Sequence, residues 1–377
     1  MSRTLAVLLS ATLTAACGGQ DAAGPTAAGP TAAAPSAELT PVAATAEWPA
    51  AAPAAEGIDA SRLSDLVLRI RRGDHGRIAS LLVARHGRLV VEEYFSGWSA
   101  ERAHTLQSVT KSVTSLLVGL AADGGRLRLD DPVTRFFPEY MPLANLDGRK
   151  AALTVQDLLT MQSGLDWDES VYAGSPLQRL NECRCDWLRF VLDWPMRDQP
   201  GTRWEYVSGG TIVLGGIVGS ATGSRLDRFA EAELFAPLEI RGASWVMGLP
   251  DGLPHAGGGL YLRPRDMAKL GVLMQDEGRW RGRQVVSPQW VRASATRAAR
   301  RVRSWSGQSL DYAKGWWLLD DRGQDVVTAA GALGQWIFAV PSTGLVVVVT
   351  SDNDDGRWAD PIGFLYSHVL PATSPGN

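Results

Sequence analysis

The chain has 377 residues, of which 45% are hydrophobic and 20% charged, and its formal net charge is -3. That balance suits a soluble globular enzyme and excludes nucleic-acid binding through bulk charge. The length allows one large domain or two intimate ones once the N-terminal stretch is set aside.

Arg3 precedes a short apolar run, Leu5 to Ala16, that ends in small residues. Such a run suits an export leader and is too short to span a bilayer. Ala15-Ala16-Cys17-Gly18 reads as a lipobox in which Cys17 becomes the lipid-bearing first residue, although Thr14 stands where Leu is usual. The competing reading is a plain cleaved leader with an incidental Cys. The expectation is an exported protein of the cell envelope, lipid-anchored to a membrane facing the periplasm or cell surface, with residues 1–17 as its signal peptide. Residues 18–56 are rich in Ala, Pro, Thr and Gly and read as a flexible tether. Folded sequence is expected over residues 57–371.

Leu63, Leu66, Val67 and Ile70 recur with helical period over Ser61 to Ile70. Ile78 to Arg85 and Leu89 to Phe95 are β-rich runs joined at His86-Gly87, a hairpin in which His86 is a turn residue without a catalytic part. Ser108 to Ala122 predicts an apolar helix ended by Gly124-Gly125. From there to about Phe235 the pattern is mainly helical, with Thr154 capping a helix ahead of Leu158 and Leu159 and another helix over Arg225 to Phe235. Strands are expected at Leu260–Leu262, Val326–Ala329, Trp336–Val340 and Leu345–Thr350, and a closing helix at Ile362–Val369. The fold class is therefore α/β, in the sense of a sheet flanked by helices with a second, all-helical subdomain. Cys183-Arg184-Cys185 lacks a nearby His or third Cys for a metal site and reads as a structural or incidental pair.

The chemistry starts at Ser108-Val109-Thr110-Lys111. Three residues apart on a helix, Ser108 and Lys111 share a face. Ser needs a neighbouring base to act as a nucleophile, and burial can turn Lys into one. The chain holds four lysines among many arginines, and only Lys111 has Ser three residues before it. Arg could not lose its proton inside such a helix, whereas Lys can; the alternative is a Lys that snorkels to the surface. Tyr206-Val207-Ser208 adds a phenol able to relay a proton, or simply a packed Tyr. Gly331, within Ala329 to Gln335, offers a backbone that substrate can approach, with its neighbours as a candidate oxyanion hole; the alternative is a turn built of small residues.

In this order and spacing, Ser108-x-x-Lys111, Tyr206-x-Ser208 and Gly331 resemble the class C β-lactamase-like serine hydrolases, which include β-lactamases, D,D-peptidases, carboxylesterases and 6-aminohexanoate-dimer hydrolases. Gly119 to Pro138, Leu153 to Gly164, and Gly258-Gly259-Leu260-Tyr261 with Arg265-Asp266-Met267-Ala268-Lys269 look like the same family. The resemblance implies an antiparallel sheet with a helical subdomain. It also implies acylation of Ser108, proton handling by Lys111 and Tyr206 in either order, an oxyanion held by the N–H groups of Ser108 and Ala332, and no metal or cofactor. Ser208 replaces the usual Asn and is expected to hydrogen-bond Lys111. Ala329 replaces the Lys or His that holds a substrate carboxylate, which favours a small ester, amide or peptide over a β-lactam or D-Ala-D-Ala; Arg263 and Arg265 are candidate replacements. The rival expectations are a true β-lactamase or D,D-peptidase, and a non-catalytic lipoprotein that binds cell-wall peptide. Trp167 and Trp336 are candidates for an aromatic acyl pocket, although core packing suits most of the fourteen tryptophans. Asp168 and Glu169 lie in an acidic loop to which no role is transferred.

Overall fold

Val346 to Val349 form an unbroken apolar run, which in a sheet requires cover on both faces. In this computed structural model, which describes residues 38–373 apart from 249, 251, 304–308, 322 and 354–358, that run lies near the middle of an eight-stranded antiparallel sheet. The strands are β1 (Ile78–Arg85), β2 (Arg88–Tyr94), β3 (Ala299–Arg303), β4 (Ser309–Tyr312), β5 (Trp317–Asp321), β6 (Gln324–Gly331), β7 (Gln335–Val340) and β8 (Leu345–Ser351). Their order is β2-β1-β8-β7-β6-β5-β4-β3, so the N-terminal hairpin is added beside the last strand. Leu82 faces Val348 and Phe338 faces Val347 across the central pairs. His86 and Gly87 both adopt positive φ at the β1–β2 turn, the geometry that matches the twist of the flanking strands.

Helix α1 (Ala60–Arg72), capped by Asp59, packs against the C-terminal helical turns. Helix α4 (Pro264–Gln275) lies on β8 and β7. Between them in sequence comes the helical region, centred on α2 (Val109–Asp123) and α3 (Ser208–Thr222), which pack on each other while α2 also touches β6 and β7. Thr154 caps its helix as expected, and Asp157 completes a capping box with it. Helix α3 can lie deep because of its glycines: a Cβ on Gly209 would stand 2.7 Å from the Trp167 ring.

Two sequence expectations change. Residues 38–56, expected as part of the tether, are laid against the domain. There Trp48 is 1% exposed and meets the Trp280 ring edge-on, Ala51 N–H donates to Leu89 O, and Glu47 pairs with Arg263. Strands β3, β4 and β5 were not anticipated; β3, Ala-Arg-Arg-Val-Arg, is an edge strand whose charges hide the alternation. Cys183 and Cys185 are joined as a disulfide. Residues 1–37, including the leader and Cys17, lie outside the described residues.

Candidate active site

Ser108 is the N-cap of α2, and Gln107 before it is held at φ 46°. A left-handed non-glycine residue costs about 1 kcal/mol or more and persists where its surroundings over-determine it. Helix α2 carries its own hydroxyls into the interior and satisfies each one. Ser112 donates to Gly315 O, Thr114 to Ala256 O and Ser115 to Lys314 O, while Thr110 accepts from Leu260 N. These bonds fix the segment around Ala256–Leu260 against the helix, and the carbonyl of Gly257 with it.

Lys111, 3% exposed, therefore sits between two fixed partners. Its Nζ lies 2.9 Å from Ser108 Oγ and 2.6 Å from Gly257 O. Burial pushes the amine down to about 8, while Glu169 pulls the other way. The Tyr206 ring stands 4.9 Å from Nζ, and its phenol lies near enough to Ser108 for that hydroxyl to act on its proton affinity. Trp317 stacks on Tyr206 and Trp204 flanks it, which fixes the ring in place. Burial raises the phenol above its usual range, against a smaller lowering by Ser108. The hydroxyl, amine and phenol expected from the sequence thus meet in one triangle.

Gly331 ends β6, pressed against the start of α2. A Cβ there would stand 2.4 Å from Leu106 O and 3.1 Å from Ser108 N. Ala332 follows in the tight turn to β7, with Leu333 and Gly334 at positive φ. Neither the Ser108 nor the Ala332 N–H has a partner among the described residues. Two free amide donors, one at the start of α2 and one just past β6, have the geometry that suits a developing oxyanion.

Other expectations move. Ser208 does not bond Lys111: its hydroxyl donates to Glu169 Oε1 at 2.6 Å, and its N–H to Glu169 Oε2 at 3.0 Å. Arg263 is taken up by Asp266, Glu47 and Glu101, and Arg265 by Glu92, so neither guanidinium is free to replace the missing cation. Trp167 and Trp336 are buried, Trp167 against Phe190 and Trp194, and Trp336 on Phe338. No sequence motif marks His255. It is buried with its ring edge-on to Trp187, and its Nε2 lies 3.0 Å from Asn181 Oδ1. Burial, helped by Lys111, lowers it to about 4, so it is neutral at physiological pH. Among the described residues no cluster of His, Cys, Asp or Glu could hold a metal ion.

A sheet with a helical region beside it, and a Ser–Lys–Tyr triangle at their junction, define a serine hydrolase of the penicillin-recognising type. The Beta-lactamase family model matches residues 69–363, and the chain belongs to that family. It is 28% identical over 344 residues to the 6-aminohexanoate-dimer hydrolase of Paenarthrobacter ureafaciens, covering 86% of this chain and 84% of that protein. It is 34% identical over 223 residues to esterase EstB of Burkholderia gladioli, covering 53% and 56% respectively. The structure of EstCE1, a hydrolase with promiscuous acyltransferase activity, superposes with a TM-score of 0.67 at 19% identity, covering 83% of this chain and 98% of that one. The protein is an enzyme, a serine hydrolase.

Proposed function

We propose that this enzyme cleaves a small ester or amide through a covalent acyl-Ser108. The observation that carries the reading is the 2.9 Å contact between the buried Lys111 amine and the Ser108 hydroxyl. Ser108 Oγ attacks the substrate carbonyl while its proton passes to Lys111, whose lowered proton affinity leaves it partly neutral near pH 8. The oxyanion is held by the N–H groups of Ser108 and Ala332. Tyr206 stays protonated at neutral pH and hands a proton to the departing alkoxide or amine, which breaks the scissile bond; Lys111 then restores the phenol's proton. Water adds to the acyl-enzyme by the same route and releases the acid, so atoms and charge balance.

Two relatives, named as a 6-aminohexanoate-dimer hydrolase and an esterase, favour a linear acyl donor over a β-lactam. Ala329, with Arg263 and Arg265 engaged elsewhere, favours the same choice. Intact-mass spectrometry after treatment with a fluorophosphonate tests the assignment. One adduct is expected, lost in Ser108→Ala and in Lys111→Ala; an adduct that persists in Ser108→Ala ends it. Rapid nitrocefin turnover would move the assignment to a β-lactamase. The leader and Cys17 support an envelope location with a lipid anchor on Cys17, tested by palmitate labelling of cells. Label retained in Cys17→Ala would remove the anchor from the proposal.

A further inference from the structure

Glu169 belongs to a loop that the sequence presents as solvated acid, Asp-Trp-Asp-Glu. Asp168 fits that picture: it is exposed and accepts from the N–H of Ser170. Glu169 does not. Its carboxyl accepts three hydrogen bonds, from Trp167 Nε1 at 2.6 Å, Ser208 N at 3.0 Å and Ser208 Oγ at 2.6 Å. Trp167 is itself wedged against Gly209 in the first turn of α3. The carboxyl thus ties the loop to the residues that immediately follow Tyr206, where the family carries an amide side chain and this chain carries Ser208.

The chemistry gives this arrangement a purpose. When Ser108 loses its proton, Lys111 becomes an ammonium in a nearly dry site, which is costly without a counter-charge. The groups around the amine are Ser108 on α2, Tyr206 before α3, the neutral His255 ahead of the Gly257 turn, and Glu169; Tyr312 on β4 lies behind Tyr206. Among them Glu169 is the one carboxyl.

Resting on the acyl-Ser108 reading, we propose that Glu169 is a positioning residue of the proton relay: held by Trp167 and Ser208, it fixes Tyr206 at the entry to α3 and supplies the negative charge that supports Lys111 in its protonated form. Serine at position 208 is part of this device, since its short hydroxyl donates to the carboxyl where a longer amide would displace it.

The experiment is the pH dependence of kcat/KM on a p-nitrophenyl ester for wild type, Glu169→Gln and Glu169→Asp, with the fold of each checked by thermal melting. Glu169→Gln is expected to lose roughly 10- to 100-fold in kcat with KM within about threefold. Its acid limb should move down by roughly one pH unit, because the carboxylate's pull on the amine has been removed. Glu169→Asp keeps the charge on a shorter arm, so its limb should stay near that of wild type while kcat falls. A limb that stays in place in a folded Glu169→Gln, or moves equally in both variants, overturns the proposal. Failure of wild type to form the fluorophosphonate adduct would instead overturn the acyl-Ser108 reading, so the two failures are distinguishable.

Discussion

An amine whose ordinary pKa is 10.5 is pushed to about 8 when Lys111 is buried, and this shift acts on activity and stability in opposite directions. For activity, on the proposed acyl-Ser108 route the neutral amine is the competent base, so kcat/KM should climb with pH and level off above about 8. Lys111→Arg, which cannot give up its proton, should lose roughly 1000-fold or more at any pH. A pH profile of ester hydrolysis checks both, and a profile already flat at pH 6 would contradict the assignment of the base. For stability, the unfolded chain binds the Lys111 proton more tightly than the folded one. Folding is therefore penalised below pH 8, by roughly 3 kcal/mol, and the penalty fades as pH rises toward 10.5. Lys111→Met removes that penalty but leaves the Gly257 carbonyl without its donor, a constant offset. The wild type should thus gain roughly 2 kcal/mol on the variant between pH 7 and 10. Denaturant titrations at the two pH values test this, and a difference independent of pH would refute it. Ser108, Lys111 and Tyr206 were legible because a scarce residue type stood one helical turn from Ser, with a known second motif downstream. Glu169 and His255 were not, because their partners lie 39 and 74 residues away and no local pattern marks them.

Helix α2 was foreseen as an apolar rod, but its hydroxyls decide how the site is assembled. Thr114 and Lys111 hold the successive carbonyls of Ala256 and Gly257, so the turn facing the nucleophile is fastened from the helix side. Thr114→Val preserves shape and strands a buried carbonyl, which should cost about 1–3 kcal/mol in denaturant titrations, and an unchanged midpoint would mean that the bond contributes nothing. At the other edge of the triangle, β6 reaches Ser108 only because Gly331 has no side chain. Gly331→Val puts its Cβ 2.4 Å from Leu106 O and should push the Ala332 N–H out of line. A loss of roughly 100-fold or more in kcat is expected, the order seen when one oxyanion donor is removed; a kcat near that of wild type would exclude this hole. The strands that build this edge, β6 to β8, declared themselves through long β-branched and apolar runs. Strands β3 to β5 did not, because at the open end of the sheet charge replaces alternation, and Arg297, Asp311 and Asp325 pair there.

At the scale of the whole chain, composition placed the end of the tether at residue 56, while packing places the start of the folded body by Glu38. Alanine, proline and glycine dominate both parts, so an average over the segment hides the few residues that matter, Glu47 and Trp48 among them. Trp48 fills a buried site against Trp280, and Glu47 meets the Arg263 cluster that also holds Asp266. The backbone from Pro49 to Ala51 exchanges hydrogen bonds with Leu89 beside the β1–β2 hairpin. Removing this segment leaves an apolar hollow and an under-paired guanidinium, and loss of a buried Trp alone costs about 3–5 kcal/mol. A chain beginning at Glu38 should therefore melt with the full-length protein, whereas one beginning at Gly57 should melt several degrees lower and expose Trp280 to quenchers. Equal melting of the two truncations would return the segment to the tether.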